Sequence, residues 1–270
     1  MTSKRRNTEK PPEENAGLVT EARPAERSAG VEFTPAPQLV SLVSPASFEA
    51  EQYRILRYSV ERRHEHDGVA VVAVTSAGGG DGKTTTAINL AGALAQAADQ
   101  RVLLVDADLR RPALMAQLGM RSADFGLAEA ITDGSRRLEE LTLRVPGFNL
   151  WVLPAGRPMM NPYETLRSPR VAALLTEARN QYAYVIIDTP PVVPCPDYRL
   201  LEPLIDAVVL VVAADRTPRE MMDAALGMLD KSKTLGIIFN GQGHQPDRYS
   251  YQYYSSARET PPGRWPWSKR

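Results

Sequence analysis

The sequence predicts an α/β fold in which a doubly wound, mostly parallel sheet carries helices on both faces. The apolar runs are continuous and β-branched, without the alternation that is typical of a half-exposed strand. Stretches with helical periodicity separate most of these runs, which indicates parallel strands joined by helical crossovers. A chain of 270 residues is long enough to bury such a sheet.

The predicted elements follow one another in a regular order. A helix is predicted from Ser47 to Arg63, where apolar residues recur among charged ones and Ser47 suits the N-cap position. Six strands are predicted after it, at 69–74, 102–105, 150–153, 185–187, 208–212 and 235–239. Helices are predicted between them at 84–97, 170–179 and 219–229.

Both ends of the chain differ in composition from its centre. Residues 1–45 carry several prolines among mixed charges and are predicted to be a disordered or partner-binding arm. Residues 46–240 contain all the predicted strands and form the core domain. Residues 241–270 have no apolar periodicity and are predicted to be a flexible tail. The tail holds four of the chain's ten tyrosines: Tyr249, Tyr251, Tyr253 and Tyr254.

Composition and charge exclude several classes of protein. The 32 Lys and Arg residues balance 32 Asp and Glu residues, so no net field would gather nucleic acid and no nucleic-acid partner is expected. The single cysteine, Cys195, excludes an intramolecular disulfide and is interpreted as structural. The most apolar run, 207–214, is far shorter than the roughly 20 residues of a membrane-spanning helix. The basic N-terminus lacks the apolar stretch of a secretory signal, so a cytoplasmic protein is expected.

A phosphate-binding loop follows the first predicted strand. Backbone N–H groups of glycines and a helix N-terminus can cradle phosphates, the lysine reaches the β- and γ-phosphates, and the next threonine ligates Mg²⁺. The alternative is a plain glycine-rich turn, which would not require Gly-Lys-Thr-Thr at the start of the helix. The strict pattern has glycine where Ala77 stands, but the place between strand and helix fits the motif. The nucleotide-binding candidates are Ala77, Gly78, Gly79, Gly80, Asp81, Gly82, Lys83, Thr84 and Thr85.

Acidic residues end two other predicted strands. Asp106 and Asp108 follow the second strand and Asp188 follows the fourth, at the edge where open α/β sheets bind ligands. Alternation along an extended strand end would aim Asp106 and Asp108 the same way, either to share one Mg²⁺ or to let one accept a proton. The alternative is a purely structural role, with a capping aspartate followed by a solvated turn. An acid in the position of Asp188 is typical of the second Mg²⁺ anchor of P-loop NTPases.

Together these segments resemble the bacterial tyrosine kinases of capsule and exopolysaccharide synthesis, the BY-kinases. Asp-Ala-Asp-Leu-Arg at 106–110 and Asp-Thr-Pro-Pro at 188–191 match the second and third motifs of that family. The loop has Gly79 where the family commonly has proline and Asp81 where it commonly has glutamate. The resemblance extends over nearly all of residues 47–255.

The resemblance implies a protein-tyrosine kinase that uses ATP and Mg²⁺ on a P-loop NTPase-like fold. Lys83 is expected to neutralise charge on the transferring phosphoryl group, and Asp106 is the candidate acceptor of the tyrosine proton. The candidate catalytic residues are Lys83, Asp106, Asp108 and Asp188. The candidate metal ligands are Thr84, Asp106, Asp108 and Asp188.

Other residues match the family at positions of less certain chemistry. Asn240 resembles the position that contacts adenine in related ATPases, and it is added to the nucleotide-binding candidates. Arg110 and Arg111 are left with two alternatives, phosphate binding or contact with a neighbouring subunit. Stretches at 126–131 and 154–168 resemble family segments whose chemical role does not follow from the sequence.

Two segments resemble the assembly and acceptor elements of the family. Glu51, Arg54 and Arg57 lie at i, i+3 and i+6 on one face of the first predicted helix. They match the motif that packs these kinases into a ring, whereas alone they would be a solvated stripe. The tail tyrosines match the cluster that the family autophosphorylates in trans. Taken alone, such a segment would also suit a stacking surface or a partner motif.

The resemblance also implies partners. They are a membrane-spanning polysaccharide co-polymerase on a separate chain that activates the kinase, further copies of the chain in a homo-oligomeric ring, and a cognate phosphotyrosine phosphatase. The co-polymerase would recruit the kinase to the inner face of the cell membrane, where it would regulate capsular or exopolysaccharide polymerisation and export. The alternatives are a MinD/ParA-like ATPase switch and a scaffold without activity. Gly78, where the switch ATPases usually carry an extra lysine, favours the kinase.

Overall fold

One sheet of seven strands forms the centre of the part of the chain that the computed structural model describes, residues 32–121 and 124–241. The strands are β1 (Val71–Ser76), β2 (Val102–Asp106), β3 (Leu143–Arg144), β4 (Leu150–Leu153), β5 (Tyr184–Asp188), β6 (Ala207–Ala213) and β7 (Thr234–Asn240). They lie in the order β3-β4-β2-β5-β1-β6-β7. Neighbouring strands are parallel except β3 with β4. The predicted doubly wound, mostly parallel fold is confirmed.

Helices cover both faces of this sheet. They are α1 (Val40–Val43), α2 (Phe48–Asp67), α3 (Lys83–Leu94), α4 (Leu114–Leu118), α5 (Leu127–Thr132), α6 (Leu138–Leu141), α7 (Pro162–Leu166), α8 (Arg170–Gln181), α9 (Tyr198–Leu201) and α10 (Arg219–Met228). Side chains of α1 to α4 belong to the core on one face, and those of α5 to α10 belong to the core on the other. In β1, Val71 and Ala73 point into one core while Val72 and Val74 point into the other. Burial on both faces explains why the strand sequences are apolar throughout.

The six predicted strands are all present, and their ends agree with the prediction to within two residues. The three predicted helices between strands correspond to α3, α8 and α10. β3 was not predicted, because it has two residues and pairs antiparallel at the edge of the sheet. No helix in the described part of the chain is long and apolar enough to cross a bilayer.

The helix α2 begins at the predicted N-cap and runs one turn further than predicted. The Ser47 hydroxyl accepts a hydrogen bond from the N–H of Ala50 at 3.1 Å. The helix ends at Gly68, whose φ of 69° is the left-handed conformation that commonly ends helices. The sequence prediction stopped at Arg63 because the last turn is polar and has no apolar periodicity.

The last part of the predicted N-terminal arm is packed against the core. Leu39 is fully buried, and the Ser41 N–H donates to Oδ1 of Asn89 on α3 at 2.9 Å. Gly92 of α3 allows this approach, because a Cβ there would lie 2.8 Å from Cδ2 of Leu42. The predicted boundary at residue 45 is therefore corrected, since the packed region begins before it. Residues 1–31 of the arm and the tail from 242, with its four tyrosines, lie outside the described residues.

Candidate active site

The phosphate loop joins β1 to α3 as the sequence predicts. Its backbone is left-handed at Gly80, with a φ of 85°, and at Gly82, with a φ of 94°. Lys83 begins α3, so the positive end of the helix dipole faces the loop. Ala77 is outside the left-handed region, and its methyl group is fully buried in the core. Alanine is therefore compatible with the loop at the position where the strict pattern has glycine.

Asp81 and Asn240 hold the loop in place. The Asp81 carboxylate accepts hydrogen bonds from the N–H of Gly78 and the hydroxyl of Thr217, each at 2.8 Å. Nδ2 of Asn240, at the end of β7, donates to the backbone oxygen of Asp81 at 3.0 Å. A Cβ on Gly82 would lie 1.9 Å from the same Nδ2. Asp81 thus acts as an internal brace, and the adenine contact of Asn240 stays a prediction.

Lys83 lies among side chains from neighbouring strand ends. Its Nζ is 2.8 Å from Oδ2 of Asp108 and 3.6 Å from Oδ1 of Asp188. The Thr84 hydroxyl donates to Oδ2 of Asp188 at 2.6 Å. Because β5 lies between β1 and β2, Asp188 lies between the phosphate loop and the aspartates that follow β2. The structure therefore brings together four of the residues that the sequence predicts for the site.

Backbone N–H groups hold the carboxylate of Asp106 at the end of β2. Its Oδ1 accepts from the N–H of Asp108 and its Oδ2 accepts from the N–H of Leu114, both at 3.2 Å. Ala107 continues the pairing of β2 with β5, since its N–H donates to the backbone oxygen of Asp188 at 2.8 Å, and the chain turns at Leu109. The expectation that the Asp106 and Asp108 carboxylates aim the same way stays a prediction. Asp106 is opposite Asp188 in the register of β2 and β5.

Burial shifts the pKa values of the central carboxylates upward. Loss of solvent raises the pKa of Asp106 to about 7, and the negative charge of Asp188 adds to this rise. Loss of solvent also raises the pKa of Asp188 to about 6, against the opposing effect of Lys83. Burial lowers the pKa of Lys83, but the charges of Asp188 and Asp108 outweigh it and leave that pKa raised. Asp106 therefore titrates near neutral pH, where a proton acceptor is most effective.

The oxygen atoms around Asp188 fit a magnesium ion. Oδ1 of Asp188 is buried and has no hydrogen-bond partner within the described ranges. Mg²⁺ in nucleotide sites takes one or two carboxylates and completes its shell with phosphate oxygens and water. In the described part of the chain, no three His, Cys, Asp or Glu side chains form a metal-holding group by themselves. The four predicted ligands thus do not form a preassembled cage, because Lys83 lies between Asp108 and Asp188 and Asp106 is bonded to backbone.

Arg110 is committed to a contact within the chain. Its Nε and Nη2 lie 2.6 Å and 2.8 Å from the two carboxylate oxygens of Asp197, which is fully buried. This bidentate pair engages the Arg110 guanidinium, for which the sequence left two alternatives, phosphate binding and subunit contact. Arg111 is exposed beside it. Burial raises the pKa of the nearby Cys195 thiol, which agrees with the structural interpretation of that residue.

Glu51, Arg54 and Arg57 each have a partner within the chain. Glu51 and Arg54 form an ion pair on α2. Arg57 pairs with Glu61 at 2.8 Å, and its Nη1 donates to the backbone oxygen of Ala93 in α3 at 2.8 Å. Arg57 therefore links α2 to α3. The ring contact of the three residues stays a prediction.

Several contacts at the site gave no signal in the sequence. A Cβ on Gly78 would lie 2.9 Å from Sδ of Met221 on α10, so a lysine there would require that side chain to move. The two stretches of unassigned role meet at the end of β4, where the N–H of Leu127 donates to the oxygen of Pro154 at 2.7 Å. A Cβ on Gly126 would lie 2.2 Å from that oxygen. Close approach of backbone explains the glycine at 126, whereas the neighbour of Gly78 is the end of a flexible side chain.

Comparisons with known proteins agree with this arrangement. A family model described as an AAA domain matches residues 69–216. The tyrosine-protein kinase YwqD of Bacillus subtilis (strain 168) is 35% identical over 221 residues, which cover 81% of this chain and 91% of that protein. The succinoglycan biosynthesis transport protein ExoP of Rhizobium meliloti (strain 1021) is 32% identical over 207 residues, which cover 73% of this chain and 25% of that protein. The kinase domain of Escherichia coli tyrosine kinase ETK is similar with a TM-score of 0.71 and 27% identity, covering 80% of this chain and 85% of that one.

The relatives and the site point to the same family. The similarity to YwqD spans most of both chains, and the similarity to ETK includes the fold that positions the site. The phosphate loop and the two aspartate motifs lie in the matched region and meet around Lys83. The chain belongs to the bacterial tyrosine kinases of capsule and exopolysaccharide synthesis.

Proposed function

We propose that this chain is an ATP-dependent tyrosine autokinase whose acceptors are the tail tyrosines at 249–254 of a neighbouring copy. The observation that carries the proposal is the ion-pair cluster at the phosphate loop. There Lys83 lies 2.8 Å from Asp108 and 3.6 Å from Asp188. Phosphoryl transfer requires positioning and charge neutralisation more than covalent chemistry, and this cluster can supply both.

The proposed reaction moves the γ-phosphoryl group of ATP to a tyrosine oxygen. The phenol proton goes to Asp106, the phenolic oxygen forms a bond to the γ-phosphorus, and the bond to the bridging oxygen breaks to release ADP. Lys83 neutralises negative charge on the transferring group. Mg²⁺, held by Thr84 and Asp188, would neutralise charge on the phosphates when bound. The pKa of Asp106 near 7 suits a group that takes up and returns a proton at neutral pH.

The acceptors must be tyrosines that can enter another subunit's site. Three tyrosines of the described part, Tyr182, Tyr184 and Tyr198, are at most 3% exposed, and burial raises the pKa of each phenol. Such side chains cannot leave the core without unfolding it. Tyr58 on α2 is 61% exposed and is the internal comparison for the tail. Its position on an ordered helix makes it a poorer acceptor than a tail segment.

Phosphopeptide mass spectrometry tests the proposal in the organism that makes the protein, where any activator is present. The chain is compared with Lys83→Met, which removes the ammonium group at the site. Lys231→Met is the matched control, because Lys231 is an exposed lysine away from the loop. We expect phosphotyrosine at 249–254 in the wild type and in Lys231→Met, and a loss of at least about 100-fold in Lys83→Met.

Other outcomes identify the alternatives. Equal phosphorylation in Lys83→Met would mean that another kinase modifies the tail. Absence of phosphotyrosine from every variant, with ATP hydrolysis retained, would favour the ATPase switch. Absence of both activities would favour the scaffold.

The proposal includes partners and a location. A membrane-spanning polysaccharide co-polymerase on a separate chain would activate the kinase and bring it from the cytoplasm to the inner face of the membrane. There a ring of copies would control capsular or exopolysaccharide polymerisation and export, and a cognate phosphotyrosine phosphatase would reset it. ExoP supports this link, because a protein named for transport in succinoglycan biosynthesis contains a segment similar to this chain as a quarter of its length.

A further inference from the structure

The turn after β6 is tied to the phosphate loop. The Thr217 hydroxyl donates to Oδ1 of Asp81 at 2.8 Å and accepts from the N–H of Ala213 at 3.1 Å. The other oxygen of Asp81 holds the N–H of Gly78 in the loop. The position of this turn is therefore fixed relative to the backbone that would surround the phosphates.

Backbone conformation in the turn is unusual. Asp215 has a φ of 59°, and within the described residues it is the only residue other than glycine in the left-handed region. This conformation is less favourable than the right-handed one by about 1 to 2 kcal/mol for a residue with a side chain. Asp215 is exposed, so burial of its own side chain does not explain the conformation. Asp215 directly precedes Arg216 in this turn.

The guanidinium of Arg216 lies over the middle of the phosphate loop. A Cβ built on Gly80 would be 3.6 Å from Nη2 of Arg216. Arg216 is exposed, and its guanidinium forms no ion pair with any described residue. A charged group held over a loop of inward-facing N–H groups is in position to bind an anion there.

We propose that Arg216 is a further catalytic residue that binds the β- and γ-phosphates of ATP at the loop, in addition to Lys83. This inference rests on the proposed function, since it assumes that ATP is the substrate. The site needs another cation for phosphate, because Lys83 is shared between two of the three aspartates around it. A planar guanidinium binds phosphate oxygens with two parallel hydrogen bonds and keeps its charge at every relevant pH.

The test compares Arg216→Ala and Arg216→Lys with Arg219→Ala. Arg219 lies three residues later at the start of α10, its side chain is 85% exposed, and its removal changes the net charge equally. Isothermal titration calorimetry measures affinity for Mg²⁺ with AMP-PNP, a nonhydrolysable ATP analogue. Steady-state assays measure kcat and KM for ATP turnover. The urea midpoint of each variant checks that the fold is unchanged.

We expect Arg216→Ala to lower kcat/KM for ATP by about 10- to 100-fold and to weaken AMP-PNP binding, with Arg216→Lys between it and the wild type. Arg219→Ala should match the wild type in both measurements. The inference is overturned if Arg216→Ala and Arg219→Ala behave alike. A wild-type chain that binds the analogue without phosphorylating its tail would refute the proposed function, while the affinity comparison would still decide the role of Arg216.

Discussion

The protonation of Asp106 should make the stability of the nucleotide-free protein fall as pH rises. Asp106 is 1% exposed, and burial raises its pKa from 3.8 to about 7. The folded protein therefore keeps a proton on Asp106 up to about pH 7, whereas the unfolded chain loses it near pH 4. Between these values unfolding releases a proton, so the free energy of unfolding decreases with pH and levels off above pH 7.

The size of the effect follows from the two pKa values. One pKa unit corresponds to about 1.4 kcal/mol, so the rise to about 7 amounts to about 4 kcal/mol over the whole window. Only part of that window lies between pH 5 and pH 8, where the loss attributable to Asp106 is roughly 2 to 3 kcal/mol. Asp106→Asn should remove this dependence of stability on pH, and with it the electrostatic coupling between Asp106 and Asp188. The variant also loses one of two acceptors for backbone N–H groups, a cost of about 1 to 2 kcal/mol that does not vary with pH.

Urea unfolding at pH 5, 6, 7 and 8 measures the slope directly. The quantity compared is the change in free energy of unfolding with pH, so that contributions common to all variants and costs that do not vary with pH cancel. Asp223→Asn is the control, because this aspartate is 60% exposed on α10. We expect the wild type and Asp223→Asn to share a slope and Asp106→Asn to be flatter by roughly 2 to 3 kcal/mol over the range. Parallel slopes for all three proteins would refute the reasoning.

Two further predictions concern the loop and the arginine pair. Gly82→Ala should lower the free energy of unfolding by at least about 1 to 2 kcal/mol, because Gly82 is left-handed and a Cβ would collide with the amide at the end of β7. Gly79→Ala should change the free energy of unfolding by less than about 1 kcal/mol, because Gly79 has an ordinary φ and open space where a Cβ would lie. Equal urea midpoints for the two glycine variants would contradict this prediction. Arg110→Ala should cost about 2 kcal/mol by leaving the buried Asp197 carboxylate unpaired, less than a fully buried pair because the arginine is 38% exposed. Arg111→Ala should cost under about 0.5 kcal/mol, and a similar loss in both variants would count against the pairing argument.

Most of the fold follows from local signals in the sequence. The continuous apolar runs correspond to strands buried on both faces, and Ser47 caps α2 as its residue type indicates. The two-residue strand β3 has no such signal, since a strand of that length has no periodicity. The packing of Leu42 depends on Gly92, which lies fifty residues later, so the local composition indicated an arm instead.

The site was predictable in its residue types but less so in its geometry. Lys83, Thr84 and Asp188 meet as their motifs indicate. Asp106 also lies beside them, opposite Asp188, but no signal in the sequence indicated that its two carboxylate oxygens accept from the N–H groups of Asp108 and Leu114. Asp81 was assigned to the nucleotide because it lies in the loop, although its carboxylate is occupied by Gly78 and by a threonine over a hundred residues away. Contacts between residues so far apart in the chain have no signature in the local sequence.

The order of the strands explains why three separate motifs form one site. β5 is fifth along the chain but lies between β1 and β2, so its last residue, Asp188, reaches both the loop and Asp106. The apolar parts of these strands are alike and do not specify their order. Parallel strands nevertheless end at the same edge whatever their order, so polar residues that follow them must gather there. The motifs therefore indicated a phosphate and metal site independently of the topology, while the contact of Thr84 with Asp188 required the β1 and β5 pairing that only the structure provides.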